Sequence, residues 1–107
     1  MRLNLRDIDR LVAEEVMRYN LSGLSHLTIP YFSTNIADAW RVVEKMKRSN
    51  FSARHRFVTE LQKEITPKEL KDKNQLLDLG WMIFYLTPKA ICLAALKVVG
   101  VKVEVAE

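Results

Sequence analysis

The apolar pattern of this 107-residue chain predicts an α+β fold, a small sheet of roughly two to four strands with helices packed on it. Two segments read as helices. Ser33 to Met46 opens on a Ser/Thr/Asn cluster and repeats Ile36, Trp40 and Val43 at helical spacing, and Leu86 to Gly100 is almost wholly apolar behind a Thr-Pro start. Two others read as strands. Apolar and polar residues alternate from Phe51 to Leu61, and Trp81 to Leu86 is an unbroken apolar run suited to a strand covered on both faces.

Taken along the chain, the first helix is expected from about Asp7 to Arg18, capped by Asn4 or Asp7. Ile8, Leu11, Val12, Val16 and Tyr19 mark its apolar face; Arg6, Asp9, Arg10, Glu14 and Glu15 mark its wet side. Residues Asn20 to Asn35 carry Leu21, Leu24, Leu27, Ile29, Tyr31 and Phe32, too apolar for a free loop. That segment is expected to lie packed over the core, with a short strand near Leu27 to Tyr31. In the following helix the spacing makes Trp40 a core anchor. Thr66 to Leu79 opens Thr-Pro with Glu69 three residues on, a capping-box arrangement that predicts a short helix or structured excursion. In the last helix Thr87 can cap, Pro88 suits the first turn, and Gly100 can take the left-handed stop. Val101, Val103 and Val105 alternate with polar residues, the pattern of a short terminal strand.

Length and composition place the whole chain, residues 1–107, in one domain with ordinary globular values of 49% hydrophobic and 28% charged residues. The longest apolar stretches are broken by Lys89 and Lys97, well short of the roughly 20 apolar residues that span a bilayer. The basic, interrupted N-terminus lacks a secretory pattern, so the expected location is the cytoplasm with no membrane partner. A single cysteine, Cys92, sits on the apolar last helix and reads as a small core residue.

The net charge of +4 is concentrated, because Arg41 to Lys73 holds ten Lys/Arg against five Asp/Glu. Such a patch attracts phosphate or anionic surfaces, although a solvated charged face is the commoner meaning. On a strand, Arg54 and Arg56 would share one face, and with Lys47 and Arg48 they are the expected nucleic-acid contacts. Trp81, Phe84 and Tyr85 on a neighbouring strand would then offer rings for stacking bases. No other site residues emerge. His26 and His55 have no acidic residue at metal-ligand spacing, and the three glycines form no phosphate loop. No catalytic, cofactor or metal residue is therefore expected.

Three ordered pieces carry a resemblance: Asp9 to Met17, Tyr31 to Met46, and Thr87 to Val99. The middle piece has an aromatic followed by Ser-Thr, an amide, Ile36-Ala37-Asp38-Ala39-Trp40, then Val42-Val43-Glu44-Lys45. The last has Pro88, then Ala90-Ile91-Cys92 and Ala94-Ala95-Leu96. Together they resemble the phage α-β-α sandwich domain family of phages and prophages of Bacillus and other Firmicutes. Relatives commonly place Gly-Trp where this chain has Arg18-Tyr19, and the Lys-rich stretch around Thr66 to Leu79 is extra. The resemblance implies an α-β-α sandwich and a phage or prophage accessory protein, and it carries no activity onto any residue. With the excess of apolar surface, it makes binding or homo-oligomerisation the leading expectation over catalysis. A host protein or small ligand is a further candidate partner. Nucleic-acid binding is the alternative, and a small-ligand-binding protein or enzyme ranks third.

Overall fold

The computed structural model describes residues 2–19, 29–73, 84–101 and 104–105. The element order is β1 (Arg2–Leu3), α1 (Leu5–Leu11) running into a π-helical turn (Val12–Val16), α2 (Ile36–Lys47), α3 (Phe51–Ile65), α4 (Lys68–Asp72), α5 (Pro88–Val98) and β2 (Glu104–Val105). Among the described residues β-structure is confined to a parallel pairing of β1 with β2, Arg2 opposite Glu104 and Leu3 opposite Val105. A clasp of two residues a side offers no face for helices to rest on. The described fold is helical, and the expected α+β sandwich is corrected accordingly.

The largest correction falls on the segment from Phe51, which is helix α3 and not a strand. Phe57, Leu61 and Ile65, four residues apart, are its buried face. Asn50 caps it, its side chain accepting from the Ala53 N–H at 2.8 Å. The alternation seen in the sequence is real but compatible with both periods. Beyond Thr59, Glu60, Leu61, Gln62, Lys63 and Glu64 are strong helix formers with no break before them, and the longer period wins. Of the second expected strand only Phe84 to Leu86 is described, and there Phe84 and Tyr85 stand exposed in a turn before Thr87. Trp81 to Ile83, the expected strand residues Leu27 and Thr28, and Asn74 to Leu79 lie outside the described residues.

Helix α5 is the hub. Every residue from Ala90 to Leu96 is buried, against α1 with its π turn, α2 and α3. Its ends are fixed as their chemistry dictates. The Thr87 hydroxyl accepts from the Ala90 N–H at 3.1 Å, Pro88 occupies the first turn, and Gly100 at φ +87° lets the Val101 N–H close on the Leu96 carbonyl at 2.9 Å. Arg56 reaches the Lys97 carbonyl while Lys97 reaches back to Glu60 and Glu64, which ties the last turn of α5 to α3.

Helix α1 begins at a complete capping box. Asn4 accepts from the Asp7 N–H at 2.8 Å and the Asp7 carboxylate accepts from the Asn4 N–H at 3.2 Å. The π turn that continues it is followed by Arg18 at φ +59°, in the left-handed region that glycine adopts without strain. This turn lets the Tyr19 N–H reach the Ala13 carbonyl at 2.8 Å.

Helix α2 begins at Ile36 behind its cap Asn35, and its inward face is not the one the sequence favoured. Ala39, Val42 and Met46 are buried, whereas Ile36 is 53% and Trp40 48% exposed. Trp40 is therefore not a core anchor; neighbouring stripes on the helix are both apolar, and the inward one is offset by about one residue, or 100°. Val42→Ala is expected to cost about 2 kcal/mol of stability, and Trp40→Ala less although it removes more atoms. Urea unfolding of the two variants checks this, and a larger loss for Trp40→Ala would place its ring in the core.

Candidate functional site: a basic corner and its neighbouring cleft

The site begins with a buried carboxylate that the sequence pattern assigned to water. Asp9 is fully buried. One oxygen accepts from the Ser33 N–H at 2.7 Å and the other from the Arg6 guanidinium at 2.7 Å. Arg6 also donates to the Ile29 and Pro30 carbonyls at 3.1 and 3.3 Å, and its guanidinium lies 4.1 Å from the centroid of the Tyr31 ring. The Ser33 hydroxyl donates to the Leu5 carbonyl at 3.1 Å. Residues 29–33 are thereby locked to α1. The Tyr31 N–H donates to Asp38 at 2.9 Å, which extends the lock to the first turn of α2.

With α2 so held, its outward face carries Arg41, Lys45, Lys47 and Arg48. The chain turns through Ser49 and Asn50 into α3. Between Glu44 and Glu60 it carries Lys45, Lys47, Arg48, Arg54 and Arg56 and no carboxylate. At the corner Phe51 is 76% exposed and stacks on the His55 ring, with centroids 6.4 Å apart and planes 11° from parallel. Arg54 is exposed on the same first turn of α3.

Of the four residues expected to contact nucleic acid, Lys47, Arg48 and Arg54 therefore gather at this corner. Arg56 does not. Two helical residues are separated by about 200° around the axis, and Arg56 turns away to donate to the Lys97 carbonyl at 3.4 Å. Sequence reasoning missed Phe51 and His55 as surface groups because on a strand they were buried-face positions. Their i, i+4 spacing is the signal that finds them once the helical period is chosen.

Beside the corner lies a cleft of about 260 Å³, lined by Met17 and Tyr19 from the end of the first helix and by Arg41, Glu44, Lys45 and Arg48 from α2. Tyr19 leans on buried Phe32, with ring centroids 6.3 Å apart. A second hollow of about 220 Å³, lined by Asn4, Arg6, Asp7, Arg10 and Ile29, flanks the Arg6 lock.

Cys92 is enclosed in α5. Burial pushes its thiol up from 9.0 to about 12, with the nearby Asp9 carboxylate adding to the effect. It is held as a neutral core group. Among the described residues every buried side-chain nitrogen and oxygen has a hydrogen-bond partner, and no three His, Cys, Asp or Glu side chains gather as metal ligands. Nor is any helix among them long and apolar enough to cross a membrane. His26 lies outside the described residues.

A helical domain with an exposed basic and aromatic corner is the class that the fold and surface define. The chain matches the Phage ABA sandwich domain over residues 10–96, most of its length, and belongs to that family of phage domains. No curated protein and no solved structure matches it.

The thiol is testable through linkage. Its pKa is higher folded than unfolded, so the stabilisation it confers is present below pH 9.0 and is lost as pH rises toward about 12. The stability advantage of the wild type over Cys92→Ala is expected to shrink between about pH 8 and pH 10.5 in urea unfolding. A pH-independent difference would show the thiol to be no harder to ionise than in the unfolded chain.

Proposed function

We propose that this phage protein acts by binding in the host cytoplasm, and that its binding face is the α2–α3 corner with single-stranded nucleic acid as its partner. The observation that carries this reading is Phe51, 76% exposed and stacked on His55 in a stretch with five cations and no carboxylate. A solvated charged face does not need a large apolar ring at its centre. A base-stacking platform flanked by phosphate-binding cations does. Among the described residues the buried Cys92 and Asp9 are already committed, Cys92 to a neutral thiol and Asp9 to the Ser33 and Arg6 donors, which favours binding over catalysis.

Self-association is the second reading. Ile36 and Trp40, one turn apart on α2, form an exposed apolar pair of the kind that a second copy or a host protein would cover.

Titration of a short oligothymidylate at several salt concentrations tests the first reading. Phe51→Ala is expected to weaken binding by about 1–3 kcal/mol, the worth of one stacked base. Arg54→Ala is expected to lower the salt slope by about 0.7, the value for one phosphate contact on a single strand, whereas Arg56→Ala leaves it unchanged. Equal effects from the two arginines would sink the assignment of this corner.

A further inference from the structure

We infer that the cleft between the end of the first helix and α2 is a nucleotide site, with Arg41, Lys45 and Arg48 taking the phosphate and Tyr19 taking the base. The inference rests on the reading that the protein acts by binding, and it names a second place and a smaller ligand.

Charge sets the ligand's sign. Arg41, Lys45 and Arg48 fall at i, i+4 and i+7, which brings all three onto one stripe of α2 facing the cleft. Three negative contributions oppose them: Glu44 in the same lining, and the C-terminal ends of the first helix and of α2, each equivalent to about half an elementary charge. About one positive charge remains, enough to favour a phosphate monoester or diester and too few for a long polyphosphate. A bare anion would leave the opposite wall unused. That wall is Met17 and the Tyr19 ring, itself backed by Phe32, a surface on which an aromatic base can stack. Glu44 can accept a hydrogen bond from a ribose hydroxyl or an exocyclic amine.

The backbone here also holds two uncommon conformations. A π turn at Val12–Val16 inserts an extra residue, and Arg18 holds φ +59° between the two residues that form the wall. Both features are costly, and both concentrate at functional sites. Their joint effect is to present Met17 and Tyr19 side by side to α2. At about 260 Å³ the cleft lies just below the roughly 300–1,000 Å³ of ligand pockets, which limits it to a small ligand.

The same chemistry is offered by a free nucleotide and by one unit of a nucleic-acid strand. Titration of the isotope-labelled protein with 5′-AMP, inorganic phosphate and a short oligothymidylate separates them. Amide shifts at Met17, Tyr19, Arg41 and Arg48 on addition of 5′-AMP, with phosphate at least about tenfold weaker, are the expected result. Arg41→Ala with Arg48→Ala is expected to weaken 5′-AMP by about tenfold or more, and Arg41 is exposed, so folding is not at stake. Tyr19→Leu is expected to weaken it by about fivefold or more while leaving phosphate unchanged. Phosphate binding as tightly as 5′-AMP overturns the nucleotide assignment. Oligothymidylate binding that depends on Phe51, with no 5′-AMP shifts in the cleft, overturns this inference and leaves the corner intact. 5′-AMP binding without oligothymidylate binding supports it and removes the corner.

Discussion

The buried Asp9 carboxylate is the constraint on which the rest of the structure turns. Taking a carboxylate out of water costs several kcal/mol, and only well-placed donors make it tolerable. Its two partners are not equivalent. Arg6 keeps about a third of its side-chain surface in water, so its ion pair is screened and worth little by itself. The Ser33 N–H is the dry partner, and without Asp9 it would be a buried donor with its own penalty of about 1–3 kcal/mol. The carboxylate thus holds residues 29–33 on α1 because both sides lose if they part.

From that lock the placement of α2 follows. Tyr31 offers its N–H to Asp38 and Asn35 caps the helix from the same turn, and these bonds constrain the rotation of α2 about its axis. Of the two apolar stripes available, the one with Ala39, Val42 and Met46 goes inward against α5, whose own packing surface includes Ala90, Ala94 and Ala95. Trp40 is left outside, and Arg41, Lys45 and Arg48 line the cleft against Tyr19. The short turn through Asn50 then carries the basic surface onto α3. A core interaction far from the surface in sequence therefore decides which residues the surface presents.

Local chemistry in this chain was legible in proportion to how little it depended on tertiary partners. The caps at Asn4 and Thr87, Pro88 in a first turn, and Gly100 as a left-handed stop can be read from neighbouring residues alone. The buried face of α1 and its π turn at Ile8, Val12 and Val16 needs only a period. Helix α3 was not legible as such because Phe51 to Leu61 satisfies two periods at once, and the mistake paired Arg54 with Arg56, which a helix separates. Trp40 misled because its spacing with Ile36 and Val43 marks an apolar stripe that is not the one turned inward. Asp9 could not be found at all. Its partner is the backbone N–H of Ser33, 24 residues away, and a backbone donor leaves no residue type to recognise. Of the candidate site, the charge was visible in composition, while the Phe51–His55 stack and the Tyr19 wall required the fold.

Native-state hydrogen exchange at the Ser33 amide tests this dependence most directly. If the Asp9 lock belongs to the core, that amide exchanges only through global unfolding, as slowly as the amides of Ile91 and Leu96 in α5 and with the same denaturant dependence. Exchange of Ser33 at the rate of an open turn, while α5 stays protected, would mean that the lock opens by itself and cannot be what orients α2.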